Sequence, residues 1–298
     1  MREESRQLRL YNTLSEKNLS PYGDRNTSIK IGDFTVSLIG LNKELMECIY
    51  AMYPDFITGD NADVTITLCQ SKGFEGLFLP VPSQNEKMGY LGLEIEGYFL
   101  IISQFFAGGV KNREGRVLLK LPSSRLYPST IQNILQVSGS WLAALSGGFI
   151  AHSLGLVKER QGYLLYGSSG SGKSTASEMA RELLLMSDEM NMVLRGDAKP
   201  RICPVPYLAR ERMEERERQN ETKEYPLSGL YSLVQSRHNE RHGLKMGETL
   251  ARLLPCIPYV HDYPSLRKRV FKELPLLLTD IPSYDLEFDL TGGFKEIL

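Results

Sequence analysis

Residues 167–175 read GSSGSGKST, and 167–174 satisfy G-x-x-x-x-G-K-[ST] at every position. That pattern belongs to a loop that cradles phosphate groups. Gly167, Gly170 and Gly172 let the backbone turn its amides inward. Ser168, Ser169 and Ser171 complete the cradle between them. Lys173 is a compact, mobile cation suited to β- and γ-phosphates. Ser174 offers a hydroxyl to Mg²⁺, and Thr175 either assists or packs. An apolar strand, GYLLY at 162–166, leads into the loop, and a helix-compatible stretch follows it. The N-terminus of that helix adds free N–H groups and its dipole. The expected ligands are ATP and Mg²⁺.

A second chemical feature follows closely. Asp188 and Glu189 come 15 and 16 residues after Lys173, behind the apolar run LLLM at 183–186. Two carboxylates at a strand end beside a phosphate loop can divide two tasks. One orients or deprotonates an attacking hydroxyl, and the other binds Mg²⁺ directly or through water. An ordinary polar turn is the plain alternative. In many RecA-like motors the second acidic motif lies much further along the chain, so this short interval points to another topology. LSGG at 145–148 resembles a transporter-ATPase signature, but it precedes the phosphate loop and reads as a helix end.

The stretch from His152 to Val193 resembles the catalytic core of HPr kinase/phosphorylase and its wider kinase-like family. It carries HSLGLV, a turn, GYLLYGSSGSGKST, a short helix and MSDEMNMV. PVPY at 204–207, PLSGLYSL at 226–233 and IPSYDLEF at 281–288 extend the likeness, which spans about 130–298. The resemblance implies an α/β fold with a P-loop kinase core of the HPr kinase and phosphoenolpyruvate carboxykinase type. It implies His152 close to the phosphates, Asp188 as the base toward a serine hydroxyl, and Glu189 assisting Mg²⁺. It also implies relatives that phosphorylate free serine or serine in modified peptides. Thr175 stands where HPr kinases carry Glu, and their late arginine-bearing loop has no counterpart. An acceptor other than HPr is expected.

Other segments must position these residues. Ile29–Leu38 reads as a strand with Gly32-Asp33 as a turn inside it. Lys43–Tyr53 reads as a helix stopped by Pro54, Asp63–Leu68 as a strand, Tyr90–Ser103 as a hairpin around Glu96-Gly97, and Arg116–Leu121 as a strand. The polar residues 1–28 suggest a loosely held or edge element. Residues 1–125 therefore form a mostly β (α+β) N-terminal domain, suited to substrate or peptide recognition. Residues 126–298 form the nucleotide-binding domain, entered through the breaker-rich PSSRLYP at 122–128. Within it, Trp141–Val157 reads as a buried helix leading into a strand. Met190–Leu194 and Ile202–Val205 flank a hairpin turn. Lys245–Leu254 and Ser265–Leu278 read as helices, and Ile281–Phe288 as a strand. The mixed-charge run Arg210–Glu224 reads as an exposed ion-paired helix or a lid.

The chain has 298 residues, 42 % of them hydrophobic, with 35 basic and 36 acidic side chains and a formal charge of −1. That balance gives no argument for nucleic acid or an anionic membrane as a partner. Cys48, Cys69, Cys203 and Cys256 form no CxxC pair, which fits free thiols in a reducing compartment. With no apolar leader and no long apolar run, a cytoplasmic protein is expected. Substrate positioning needs cations beyond Lys173, for which Arg237, His238, Arg241, His242 and Arg267 are candidates. The residues carry no oligomeric signal; HPr kinases are hexamers, which keeps a homo-oligomer among the expectations. The expected activity is ATP-dependent transfer of phosphate to a hydroxyl of a peptide, protein or small molecule. Two alternatives stay open: an NTPase switch, and a non-catalytic nucleotide-binding interaction protein.

Overall fold

The computed structural model describes residues 3–15, 19–82, 89–121, 123–207, 221–289 and 293–298. The fold is mixed α/β. Two compact units divide the chain. The first comprises Met1–Lys30, Phe34–Ser138 and His261–Ser265, and the second Ile31–Asp33, Gly139–Val260 and Leu266–Leu298.

The first unit holds helix α1 (Glu3–Ser15), strands β1 (Arg25–Ile31) and β2 (Phe34–Leu41), helix α2 (Lys43–Met52), then β3 (Ile57–Thr58), β4 (Val64–Gln70), β5 (Leu91–Ile95), β6 (Tyr98–Ile102), β7 (Phe106–Lys111) and β8 (Glu114–Leu119). The strands lie in the order β3-β1-β2-β4-β8-β7-β6-β5. β4 shows how the pattern works: Val64, Ile66 and Leu68 alternate in sequence and are buried together. α2 forms where the periodicity predicts. The Asn42 side chain accepts from the Leu45 amide at 2.8 Å, and Leu45 and Ile49 are buried.

Three expectations change here. Residues 3–15 are a helix rather than a loose segment. Leu10 and Leu14, four apart, enter a cluster with Leu77, Phe78, Leu100 and Leu118. Gly32-Asp33 is the turn between two strands, not a turn inside one. β7 was not anticipated, because Gly108-Gly109 breaks the apolar alternation in FAGGVK.

The longest stretch of the second unit begins within helix α3 (Tyr127–Leu145), after Ser138. Strands β9 (Phe149–Lys158) and β10 (Gln161–Tyr166), helix α4 (Lys173–Met179), β11 (Leu184–Ser187), β12 (Met190–Leu194), β13 (Arg201–Cys203), β14 (Tyr225–Gln235), β15 (Glu240–Gly243), helices α5 (Met246–Leu253) and α6 (Pro264–Leu277), and β16 (Ser283–Phe288) follow. The strand path is β10-β9-β12-β13-β14-β16-β15, with β11 on β9. β14 also pairs with β10, so the first five strands of the path close into a ring. The β10–β14 and β14–β16 pairings are parallel, so three strands end on one side of the sheet. Leu154, Leu165, Ala176, Ala180, Leu286, Phe288 and Phe294 build a core under α4. The run Arg210–Glu224, expected as a lid or exposed helix, lies outside the described residues up to position 220. Among the described residues, no helix is long and apolar enough to cross a membrane.

Candidate phosphate-handling site

β10 supplies the rigid base of the site. Leu164, Leu165 and Tyr166 are fully buried, with β9 on one side and β14 on the other. The chain leaves β10 into 167–172 and enters α4 at Lys173. Gly170 and Gly172 have φ of 84° and 99°, a region that side chains with a Cβ avoid. A Cβ on Gly172 would stand 2.6 Å from the Phe288 ring. The Ser171 amide donates to the Ser168 carbonyl at 3.1 Å, and Gln235 Nε2 donates to the Gly170 carbonyl at 2.9 Å. The loop is thus tied to itself and to the end of β14. Lys173 Nζ donates to the carbonyls of Gly167 (2.7 Å) and Ser168 (3.3 Å). Burial holds its pKa below the usual lysine value, and Cys256 and Glu189 oppose that shift.

The acidic pair occupies a break in a ladder. β11 and β12 both run antiparallel to β9: Leu185 faces Leu156, Ser187 faces Gly155 and Met190 faces His152. Asp188 and Glu189 lie between the two strands, just after the register shift between Leu185 and Ser187. Buried polar groups pin this break. Ser187 Oγ accepts from the amides of Glu189 (3.2 Å) and Met190 (3.4 Å) and donates to the Tyr207 carbonyl at 2.9 Å. Asn191 Nδ2 donates to the Ser153 carbonyl (2.8 Å), Ser153 Oγ (3.1 Å) and the Ser187 carbonyl (3.1 Å). Room for Asn191 exists because residue 155 is glycine: a Cβ there would lie 2.1 Å from Asn191 Oδ1. Gly155→Ala should therefore destabilise the protein by about 1–3 kcal/mol, read as a lower midpoint in urea unfolding, and should shift the acidic pair.

His152, on β9, stands beside the pair. Its Nδ1 is 3.4 Å from the Glu189 carbonyl oxygen and 3.9 Å from Glu189 Oε1. Burial holds its pKa below 6.5; the backbone contact with Glu189 opposes this, and Lys173 adds to it. The sign for stability follows. Between the lowered folded pKa and 6.5, the unfolded chain binds more protons, so stability falls as pH falls through that window. Urea midpoints taken at about pH 7.5 and about pH 5.5 should differ less in His152→Gln than in the parent.

These groups meet around one cavity of about 840 Å³. His152, Gly167, Ser168, Ser169, Lys173, Ser174, Asp188 and Glu189 line it. Gly170, Ser171, Gly172 and Thr175 belong to the loop but are not among the lining residues. Ser232 of β14, Arg252 of α5 and Cys256 also line it, and sequence reasoning missed all three. Arg252 Nη2 sits 2.8 Å from Asp285 Oδ2. Burial raises the Cys256 thiol pKa, while Lys173 and the Gly167 backbone oppose the rise. None of Arg237, His238, Arg241, His242 and Arg267 lines the cavity. Arg241 instead donates to the Ile297 carbonyl at 2.7 Å and lies over the Tyr284 ring. The hint toward Arg252 was its place in the last turn of a helix stopped by Pro255, which is too common a feature to single it out.

The sequence matches no protein-family profile and no curated protein. Among 36 solved chains that match it is the structure of the Hpr(Ser) kinase/phosphatase from Coxiella burnetii, with a TM-score of 0.26 and 10 % identity, covering 50 % of this chain and 90 % of that one. What the site can do is decided by its own residues. A lysine-bearing glycine loop faces two carboxylates across a cavity, at the carboxyl ends of parallel strands β10 and β14.

Proposed function

We propose that the second unit is a kinase: it transfers the γ-phosphoryl group of ATP to a hydroxyl, with serine the expected acceptor, in a peptide, protein or small molecule. One observation carries this reading, the shared cavity of Lys173, Ser174, Asp188 and Glu189. The donors suit the ligands. Gly170 and Gly172 keep the loop backbone open to close approach. The Ser174 hydroxyl and Glu189 carboxylate are hard oxygen donors of the kind Mg²⁺ takes. Bound there, the ion would neutralise charge on the phosphate oxygens.

Lys173 and the amides of 167–172 hold the phosphates. Asp188 takes the acceptor hydroxyl proton as its oxygen bonds to phosphorus and the bond to ADP breaks. His152, whose imidazole pKa is held below the usual value by desolvation, flanks Glu189. A P-loop kinase core of the HPr kinase and phosphoenolpyruvate carboxykinase type is part of the same proposal. So are a cytoplasmic location, supported by four free thiols, and a homo-oligomer.

The test is incubation of the purified chain with Mg²⁺, γ-labelled ATP and a panel of serine-containing peptides and free serine. A labelled acceptor is the expected product. Labelled inorganic phosphate alone in every mixture would replace the kinase reading with an NTPase switch. ATP that stays bound and intact with Mg²⁺ would make the unit a nucleotide-binding interaction module.

A further inference from the structure

One face of the first unit's sheet changes character along its strands. Residues directly opposite one another share a face, and so do residues two apart. Cys69, Leu118, Ala107 and Ile102 form one row across β4, β8, β7 and β6. All four belong to the apolar cluster that α1 enters with Leu10 and Leu14. The next row is Thr67, Arg116, Gly109 and Leu100. The row after that is Thr65, Glu114 and Lys111, with Tyr98 on the same face, two residues from Leu100. These two polar rows border a cavity of about 680 Å³, which Leu14 and Ser15 at the end of α1 also line. Its volume falls within the range of small-ligand sites.

The charges of this cavity are individually placed. Lys111 and Glu114 stand opposite each other and flank the turn Asn112-Arg113, whose φ values are 49° and 69°. The Lys111 ammonium lies over the Tyr98 ring, 5.0 Å from its centroid. Tyr11 packs edge-on against the same ring, with centroids 5.7 Å apart. Arg116 Nη1 donates to the Leu14 carbonyl at 2.9 Å. That bond fixes the guanidinium at the end of α1 and offsets the partial negative charge there. It uses one of the five N–H donors of the fork. Gly109, opposite Arg116, raises no side chain beside the guanidinium, and a Cβ there would stand 2.6 Å from Leu100.

We propose that this cavity binds an α-carboxylate together with the N–H group next to it, the chemistry shared by free amino acids and peptide C-termini. Arg116 and Lys111 take the carboxylate, the guanidinium as a fork and the ammonium as a point charge. Glu114 accepts from the ammonium or amide nitrogen on the adjacent carbon. Thr65 and Thr67 supply hydroxyls, and Tyr98 an aromatic wall. Lys111, Arg116 and Glu114 give the lining one net positive charge, which suits a monoanion. A phosphate dianion would exceed that charge and be repelled by Glu114. All of these residues lie in the first unit, so the inference does not rest on the kinase reading.

The test is equilibrium dialysis of the full-length chain without nucleotide, read by mass spectrometry. The probes are the free amino acids, a pool of random-sequence pentapeptides with free carboxyl ends, and the same pool amidated. Expected is retention of at least one amino acid or of free-carboxyl peptides, with amidated peptides held about tenfold more weakly or worse. Retention of amino acids alone assigns the site to a small molecule, and of peptides alone to a chain end. Lys111→Gln and Arg116→Gln should each weaken retention by about tenfold or more, and Lys173→Ala should leave it unchanged. Lys111→Gln, beside the hairpin turn, keeps the test open if Arg116→Gln fails to fold. The site is overturned if no probe is retained, if amidated peptides are held as well as free ones, or if folded Lys111→Gln retains the probes as the parent does. Loss in Lys173→Ala but not in Lys111→Gln would overturn it too, by moving the ligand to the second unit. Phosphoryl transfer is not read in this experiment, so the kinase reading stands or fails separately.

Discussion

Asp188→Asn is expected to abolish phosphoryl transfer while leaving nucleotide bound. Asparagine keeps the shape of the side chain but cannot take a proton. Its setting should survive, because Ser187 and Asn191 pin the break between β11 and β12. A positioned general base contributes about 10²–10⁴-fold to rate, so single-turnover transfer should fall by that factor. Nucleotide affinity should change little, since Lys173 and the loop amides are untouched. A parental transfer rate in this variant would remove Asp188 from the role of base. A joint collapse of binding and transfer would instead give it to Glu189's side of the site, as part of the magnesium and phosphate grip.

Gly172→Ala should be strongly damaging in the second unit. The backbone there has φ of 99°, and left-handed geometry costs a residue with a Cβ about 1–2 kcal/mol. The added methyl would also stand 2.6 Å from Phe288, a buried ring of the core under α4, where overpacking costs about 1–3 kcal/mol. The two act at one position, and together they should lower unfolding stability by about 2–5 kcal/mol. Whatever loop survives will be displaced, so nucleotide binding should weaken as well. Gly247→Ala is the matched control. Gly247 lies in helix α5 with nothing near its missing Cβ, and alanine there should stabilise by about 0.5–1 kcal/mol. Urea unfolding of both variants checks the pair, and equal effects would show that the strain at Gly172 is not what holds the loop.

Much of this architecture was legible in the chain because its determinants are local. GYLLY is apolar and short, and it forms β10. Asn42 caps α2, and Pro54 and Pro255 stand where helices end. Glu96-Gly97 turns a hairpin. The misses share a cause. α1 carries only a sparse apolar stripe, Leu10 and Leu14, amid charged residues, so its burial depends on a cluster drawn from β4 to β8. β7 hides behind two glycines. The cationic candidates were chosen by charge alone, but charge does not say which way a strand faces. Arg241 points to the Tyr284 side of the sheet, and His238 and His242 gather at Glu287.

By itself the sequence determined the chemistry at hand: a glycine loop with Lys173 and Ser174, two carboxylates 15 and 16 residues later, and short strands to carry them. Those are matters of residue type and of neighbours within a few positions, where backbone preference and side-chain period act. Only the tertiary structure decided that the groups share a cavity. The antiparallel pairing of β9 with β10, β11 and β12 brings His152, the loop and the acidic pair together. The parallel pairing of β10 with β14 places Ser232 beside them, and Arg252 and Cys256 arrive from α5 and the turn after it. Such contacts join residues scores of positions apart. They are selected by the collective burial of the core, which no local pattern encodes.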